Sequence, residues 1–441
     1  MLLKLRHFLS GILLLLYPCT SFYAAEATLS PELLPEPLTL DLALQLIDKQ
    51  HPDLRYVNAD LKNSQSDLQQ ALSSNDLSVS INANAQWIEP AKFSLNKKQE
   101  DHRLGLIINK TLYDFGRSSA QINAATQQVL SQNFQFLNAQ QHQYINVMKK
   151  YFDVVLADLQ FYRYNEEMAV AYIQFDRMQT REKLGQFTEV DVVEKEVEYQ
   201  RVRRLRSHSQ NQQRVTRSLL AQALNKPDNL PATVVRPELD VVSRKLPDID
   251  LMQKIISENN PVLAALRAEL MAAKNNVNFA RSGNNPVITG GFEAYDYERE
   301  TGSTDKWRAN VTLNIPIWNG DQVDAKVAKA KAAVYKIEAQ LEQQELLIKQ
   351  QVLELWLGIE TLKIQHDEVL AGMNFSELSL DKNRALYELE VKSDLGYSMV
   401  DFSEAERKVV ETNFDIALAW AQLDALSGNL LDDKSKESIN K

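Results

Sequence analysis

Carboxylates at matching places in the two halves of the chain are the residues whose type and spacing best suit a functional site, namely one that binds cations. Asp191 and Glu194 follow one predicted turn, and Asp401 and Glu404 follow another. In a symmetric assembly each acid is repeated as a ring, and rings of carboxylates select and bind cations. The alternative is a set of ordinary solvated acids in a first helical turn, where the helix macrodipole favours negative charge.

Catalytic, cofactor and metal sites are not expected from the rest of the sequence. The six histidines among 441 residues are scattered, without the spacing of paired metal ligands on a helix. No nucleophile elbow or phosphate-binding glycine loop is present. The net charge of −10 argues against nucleic acid, whose binders carry a basic face. The one basic cluster, residues 201–206, is interpreted as a solvated helix face.

The first 27 residues have the pattern of a secretory signal peptide. Lys4 precedes a short apolar run, and an Ala-x-Ala cleavage site ends at Ala27. The run is too short to cross a membrane as a helix. Cys19 is the only cysteine, and the Tyr and Pro before it do not suit a lipoprotein signal. Lipidation is therefore not expected, and the processed chain would have no thiol chemistry.

An internal repeat organises the chain. Three short landmarks recur at offsets of about 204 to 210 residues, and they begin at His51 and Asn260, at Tyr113 and Trp318, and at Val190 and Val400. Together with the signal pattern, the repeat divides the chain into five parts. These are a signal peptide at 1–27, a first repeat at 28–226, a Pro-rich linker at 227–248, a second repeat at 249–428 and a polar tail at 429–441. The linker contains one short β-like run, residues 233–235.

Each repeat is expected to contain a helix, two strands, a very long helix, a turn and a last helix. In the first repeat these elements are predicted at residues 39–73, 77–87, 103–112, 116–184 and 189–224. In the second repeat they are predicted at residues 249–281, 286–297, 307–317, 320–389 and 399–426.

The strands alternate every two residues, as in a sheet with one apolar and one polar face. In the fourth strand the predicted lipid-facing residues are Val311, Leu313 and Ile315. The polar residues between them would face a lumen. A membrane strand needs about 9 to 11 residues, which these strands provide. A soluble sheet with one wet face alternates in the same way, so both interpretations stay open here.

The two longest predicted helices exclude an ordinary globular domain. Each would extend about 100 Å at 1.5 Å per residue, and apolar residues recur every three or four positions from Val327 to Val369, as in a coiled-coil seam. Four strands cannot close a membrane barrel, because the smallest barrels use about eight and open edges are not tolerated in lipid. Strands in a membrane would therefore have to be shared among several chains.

Motifs at the strand ends and turns resemble those of a known protein family. A helix-opening signature after a strand occurs twice, as Tyr113-Asp114-Phe115-Gly116-Arg117 and as Ile315-Pro316-Ile317-Trp318-Asn319-Gly320. Gly185, Thr188 and Asp191 have a hairpin-turn spacing, and residues 417–428 form a closing helix. In their order and double occurrence, these motifs resemble the TolC-like outer-membrane efflux channel family over nearly the whole processed chain.

The resemblance implies a mainly α protein with a membrane β-barrel part. A homotrimer in the cell outer membrane would have a twelve-stranded β-barrel and a periplasmic α-barrel of twelve helices. The implied function is the passive exit duct of a tripartite efflux or type I secretion system, served by an inner-membrane pump and a periplasmic adaptor protein. Drugs, metal ions and polypeptides all stay open as cargo. The alternative is a periplasmic coiled-coil spacer or adhesin-like protein.

The resemblance also implies roles at the two turns. Asp401 and Glu404 would form the constriction, and Asp191 would join links that hold the tip closed, with Lys392 as its candidate partner. The implied adaptor contacts are Leu184, Gly185, Ser393, Leu395 and Gly396. The second turn departs from the family pattern, because Glu390 stands where Gly is usual. This turn is also expected to be about five residues longer than the first.

Overall fold

Two successive copies of one plan make up the computed structural model, which describes residues 34–300, 304–391 and 393–431. The first copy contains α1 (Leu40–Gln45), α2 (Pro52–Ser73), β1 (Ser78–Asn84), β2 (Arg103–Tyr113), α3 (Arg117–Lys183) and α4 (Glu189–Ala223). The second contains α5 (Ile249–Asn259), α6 (Pro261–Arg281), β3 (Val287–Tyr297), β4 (Trp307–Asn314), α7 (Gln322–Glu388) and α8 (Leu395–Leu426). The expected signal segment, Cys19 with it, and residues 432–441 of the tail lie outside the described residues.

The first helix of each copy is broken where one continuous helix was predicted. Helices α1 and α2 replace the first, and α5 and α6 replace the second. The cause is a proline, because Pro52 and Pro261 each start the later helix and the residue before each proline has left the helical conformation. His51 and Asn260 then cap the new helices with their side chains. The repeated landmark is therefore a helix start.

The two long helices confirm the prediction to within two residues at each end. Helices α3 and α7 have 67 residues each, or about 100 Å at 1.5 Å per residue. Apolar side chains of α7, including Ile348, Val352 and Ile359, are buried in a cluster shared with α8. Among the helices of the described residues, none is both long and apolar enough to cross a membrane.

Helix α3 is the central element, because it contacts α2, α4, α6 and α8 along its length. Toward the hairpin turns the neighbours run in the order α4–α3–α8–α7, and toward the sheet they run in the order α2–α3–α6–α7. Phe152 of α3 stacks on Phe414 of α8 with ring centroids 4.1 Å apart, and both rings are buried. In the described chain this strip of helices has free edges at α4 and α2 on one side and at α7 on the other.

A second packing layer lies against the strip. Met252 and Ile256 of α5 are buried in one cluster with Trp420 of α8 and side chains of α6 and α7. The linker packs on α3, because Val234 bridges Leu38 and the hydroxyl of buried Tyr151 lies 2.9 Å from the Leu38 carbonyl oxygen. The β-like run predicted at residues 233–235 is thus a single parallel bridge.

The four strands form one antiparallel sheet in the order β1–β2–β3–β4. The hairpins of the two copies join through β2 and β3, which pair from Arg103 opposite Tyr297 to Tyr113 opposite Ile288. Strands β1 and β4 are the edges within the described residues. They end at Asn84 and Asn314, three residues short of the predicted ends.

Both long helices end in the same left-handed turn. The φ angle is 73° at Gly185 and 58° at Glu390. In each case the amide of the following residue donates to a carbonyl five residues back at 3.0 Å, as in a Schellman ending. Glycine adopts this conformation freely, whereas the Cβ of a glutamate meets a backbone oxygen at a cost of about 1 kcal/mol.

The second turn is only one residue longer than the first. It covers residues 389–394, compared with residues 184–188. The expected five extra residues were wrong because α8 begins at Leu395 rather than at Met399. From the sequence, Tyr397 and Ser398 were predicted to belong to the turn, but in the structure both residues are helical.

Substituting the strained residue should stabilise the second turn. We expect Glu390→Gly to slow hydrogen exchange of the amides around residue 390 by about two- to fivefold, since relief of the left-handed strain raises the local opening free energy. Gly185→Ala is the matched change, and it should speed exchange in the first turn for the same reason. Unchanged exchange in both variants would contradict the strain argument.

Candidate functional site

The strand register gives the sheet one apolar face and one polar face. Directly opposed residues of antiparallel strands lie on the same face. Two rows of the apolar face are Ile81–Leu106–Ala294–Trp307 and Val79–Ile108–Phe292–Ala309. Two rows of the other face are Asn82–Gly105–Tyr295 and Ser78–Asn109–Gly291–Asn310.

The predicted lipid-facing residues of β4 lie on the apolar face. Val311 and Leu313 expose 71% and 55% of their surface. Ile315 is also exposed but falls one residue beyond the end of β4. Beside the edges β1 and β4 there is no further strand in the described chain. A sheet with such an apolar face needs something other than water to cover that face. In lipid its open edges would need strands from other chains to pair with their backbone groups.

The predicted acid pairs do not occupy equivalent places in their helices. Asp191 is the third residue of α4, and its carboxylate accepts hydrogen bonds from the Thr188 amide at 2.8 Å and hydroxyl at 2.7 Å. These bonds lower the pKa of Asp191. Asp401 is the seventh residue of α8 and is exposed, without a hydrogen-bond partner among the described residues. The helix-start interpretation therefore fits Asp191 but not Asp401.

Glu404 is held by two arginines. Its carboxylate lies 2.9 Å from Arg407 on the same helix and 3.3 Å from Arg163 of α3. Arg163 also pairs with Glu167, which pairs with Arg201 of α4, both at 3.3 Å. Burial raises the pKa of the Glu404 carboxyl, but the hydrogen bond and charge of Arg407 outweigh it, and the pKa lies below its usual value. A continuous set of ion pairs therefore ties α4, α3 and α8 together.

The start of α8 packs closely on the first hairpin. A Cβ at Gly396 would lie 2.8 Å from the Val170 side chain of α3, so a larger residue would push the helices apart. The Tyr397 hydroxyl donates to the Glu198 carboxylate of α4 at 3.0 Å. Burial and the neighbouring Glu198 raise the pKa of Tyr397 to about 12, so this donor keeps its proton at neutral pH. The second turn is therefore anchored to both helices of the first hairpin.

The other turn candidates differ in exposure. Leu184 exposes 69% of its surface beside the left-handed glycine. Ser393 donates to the Asn383 carbonyl at 2.6 Å, and Leu395 is the first residue of α8. Lys392 lies outside the described residues. A groove of about 440 Å³ separates the second turn from α3, and its lining includes Val170, Ile173, Arg177, Tyr387, Gly396 and Met399.

The sequence interpretation missed Arg163 and Tyr397. Arg407 follows Glu404 by three residues, so helical spacing alone could have paired them. Arg163 belongs to the other repeat and contacts Glu404 only because α3 and α8 pack together. No local pattern in the sequence could have identified that contact.

Comparison with known proteins finds one family model that matches the second half of the chain. Residues 253–429 match the family described as Outer membrane efflux protein. The match covers 177 of the 441 residues and falls in the second repeat. Protein CyaE of Bordetella pertussis is 23% identical over 266 residues, which are 59% of this chain and 56% of CyaE. The match thus spans little more than half the length of this relative.

Two solved structures show how far the fold extends. The outer membrane protein VceC of Vibrio cholerae has a TM-score of 0.70 at 15% identity, over 89% of this chain and 97% of VceC. The CmeC outer membrane channel of Campylobacter jejuni has a TM-score of 0.73 at 13% identity, over 91% of this chain and 88% of CmeC. The predicted fold class, mainly α with a membrane β-barrel part, is therefore confirmed. The chain shares this fold with proteins of the outer membrane.

Arginine on the two faces of β4 should have opposite consequences. A charge at the middle of the lipid face costs about 2 to 4 kcal/mol, so Ala309→Arg, in the uncharged row of Ile108 and Phe292, should strongly reduce assembled protein in the outer membrane. Asn310→Arg is the matched control, because the polar face already carries Arg103 and Arg308. Heat-resistant oligomer on gels of outer-membrane fractions measures the effect. Equal loss from both variants would show that the apolar face does not contact lipid.

Proposed function

We propose that this protein is a passive exit duct through the outer membrane, built from three copies of the chain. The exposed apolar face of an open-edged sheet carries the proposal. Three copies supply twelve strands, more than the about eight of the smallest membrane barrels. Pairing each β1 with the β4 of a neighbour removes every edge. The long helices then continue the duct about 100 Å into the periplasm.

A periplasmic spacer or adhesin-like protein is the weaker candidate. Such a protein would leave the exposed apolar residues Val79, Val311 and Leu313 in water, although contiguous apolar patches of this kind are rare on soluble monomers. Its sheet would also present two unpaired edges to other chains, an arrangement that promotes aggregation. A shared barrel accounts for both features at once.

The periplasmic tip is the place where an adaptor protein would bind and connect the duct to an inner-membrane pump. Leu184 at the first turn and Ile173 and Met399 beside the second turn expose apolar surface at the same end of the hairpins. Apolar side chains around a groove suit a helical segment of a partner. The complete system would then be a tripartite efflux or type I secretion assembly, in which the pump supplies the energy.

The tip would also serve as the gate, with different roles for its acids. Three exposed Asp401 carboxylates around a common axis would attract cations. Glu404 would instead hold α8 against α3 through Arg163. Because its pKa is lowered in the folded chain, this stabilisation is complete above the ordinary carboxyl pKa and is lost as pH falls through the lowered value. Acidification should therefore loosen the closed tip.

Planar-bilayer recording tests the proposed function. Purified protein should run as a trimer by native mass spectrometry and give a cation-preferring conductance after reconstitution. The acidic tip is the reason for the preference. A stable monomer with full β content, or a folded trimer that never conducts, would contradict the duct.

Two single-charge substitutions separate the roles of the acids. Asp401→Asn should weaken cation preference about two- to fivefold, because one ring of charge is removed. Glu404→Gln removes the same charge but should raise the open fraction instead, since the ion pair between Arg163 of α3 and α8 is lost. Single-channel selectivity and open probability distinguish these results. If both variants change the same parameter in the same way, the division of roles is wrong.

A further inference from the structure

The apolar face of the sheet carries a lysine in the half that lies nearer the helices. Lys110 of β2 is opposite Gly290 of β3, and Gly290 is opposite Val311 of β4. These three residues share the face of the row through Ile108 and lie one row closer to the end of β2 from which α3 begins. Lys110 is exposed and has no ion-pair partner within the described residues.

A cation on a lipid face needs an anionic partner. A charge is costly at the middle of the membrane, and an ionisable side chain there normally marks a site with a specific partner. On the hairpin of Lys110 the nearest acids are unsuitable. The Asp114 carboxylate accepts hydrogen bonds from the amides of Gly116 at 3.2 Å and Ser118 at 2.7 Å. Asp76 precedes β1 and follows the even-numbered alternation of the polar face.

A neighbouring copy does not supply the missing acid either. In the proposed duct β1 of one copy pairs with β4 of the next, and the apolar face of β1 consists of Val79, Ile81 and Ala83. Within the described strands that face has a single acid, Asp296, which lies at the far end opposite Leu104. The partner of the lysine must therefore come from the surroundings of the sheet.

Lys110 is close enough to the periplasmic edge of the sheet to reach a lipid headgroup. Strand β2 ends at Tyr113, three residues after Lys110. With a rise of about 3.3 Å per residue and a tilt of about 40°, the lysine Cα lies roughly 7 to 8 Å from that edge. A lysine stem extends about 6 Å and can lie along apolar surface while its ammonium stays at the polar level. The next row, Ile288 with Leu313, provides that surface.

A β-bulge at the end of β2 places a second donor on the same face. The pairing with β3 shifts between Thr111 and Tyr113, so Leu112 is the extra residue. Its side chain lies 3.3 Å from the place that a Cβ on Gly290 would occupy, so the glycine leaves room for the bulge. The shift brings Tyr113 opposite Ile288 of the apolar face. Without it, Tyr113 would share the polar face with Thr111.

The hydroxyl of Tyr113 is available to a ligand. Its ring packs edge-on against Phe115 with centroids 4.6 Å apart, and 58% of the residue is exposed. Within the described residues the hydroxyl has no hydrogen-bond partner. A phenol O–H donates to phosphate oxygens, and tyrosine is enriched at the level of lipid headgroups.

We propose that Lys110 and Tyr113 bind the phosphate of an anionic phospholipid in the periplasmic leaflet, with the acyl chains of the lipid on the apolar rows of β2 and β3. This site rests on the proposed membrane duct. The ammonium supplies the charge that attracts the phosphate, and the phenol supplies a second hydrogen bond. Each copy of the chain contains one such site, so a three-copy duct binds three lipids around its periplasmic rim.

The surroundings of the two donors favour a phospholipid over other anions. Leu112 and Leu313 expose 52% and 55% of their surface beside them, and a free phosphate would leave this apolar surface uncovered. An acidic protein would have to enter the lipid to reach Lys110. A lipid of the outer leaflet is too far away, because this end of β2 leads directly into α3.

Lipid retention by the full-length protein tests the site. In native mass spectrometry with equal amounts of phosphatidylglycerol and phosphatidylethanolamine, the parent should retain one lipid per chain and prefer the anionic one about fivefold, the effect of one basic residue near charged headgroups. Lys110→Gln should abolish the preference, Lys110→Arg should keep it, and Tyr113→Phe should reduce it about twofold. Lys306→Gln is the matched control, because Lys306 lies at the other end of the sheet beside Glu300.

Heat resistance in two kinds of vesicle provides a second measurement. Lys110→Met removes a charge from the lipid face, so in phosphatidylcholine vesicles this variant should resist heat at least as well as the parent. In vesicles that contain phosphatidylglycerol the parent should be the more resistant, since only the parent gains the bound lipid. The temperature at which the oligomer dissociates on gels gives the ranking. The same ranking in both vesicles would reject the site.

Three further results would overturn the proposal. These are a parent without preference for the anionic lipid, equal losses from Lys110→Gln and Lys306→Gln, and displacement of the bound lipid by excess inorganic phosphate. The last result would assign the two donors to a soluble anion. The duct is tested separately, because Lys110→Gln should still form a conducting trimer, whereas a parent that neither assembles nor conducts contradicts the duct itself.

Discussion

The buried contact between α3 and α8 is the interaction on which the remaining structure depends. The stacked rings of Phe152 and Phe414 join helices from different copies of the repeat. Without this contact the outer parts of the two hairpins, beyond the contact of α3 with α6, would be separate rods with an uncovered apolar side. With it, the two hairpins lie side by side, their turns meet at one end, and Gly396 can reach Val170. This alignment sets the positions, along the helix axes, of the charged residues near the tip.

The two copies share a backbone plan but differ in what stabilises their tips. The end of the first hairpin is self-contained, because a glycine closes its turn and a capping box fixes the next helix. The end of the second hairpin has a strained Glu390 and no side-chain cap on α8. Its position depends on contacts with the first hairpin at Tyr397 and Glu404. Weakening those contacts would therefore release the second tip while the first kept its local structure.

The sequence predicts those features that short-range periodicity encodes. The 67-residue helices, the alternating strands and the exposed face through Val311 and Leu313 follow from periods of about 3.6 and 2 residues. The helix breaks at Pro52 and Pro261 could also have been predicted, since a proline is typical of the first position of a helix. They were missed because the surrounding residues continue a helical pattern.

Features that depend on distant contacts were beyond the sequence. The partner of Glu404 in α3 becomes visible only once the hairpins are aligned. The start of α8 was placed too late because Gly396 and Ser398 are typical of turns. In the structure the glycine is needed for close helix packing, and the serine hydroxyl hydrogen-bonds Asn383.

The heptad spacing has a consequence for the length of the helical part. Residues buried against α3 in α4, such as Val202, Ser209 and Thr216, recur every seven positions. If seven residues were removed from each long helix at the same distance from the turns, the buried face of each helix would keep its orientation. Removing five would rotate the outer half of each hairpin away from its neighbours. The reach of these hairpins can therefore change through insertions and deletions only in steps of about 10 Å, one heptad at a time.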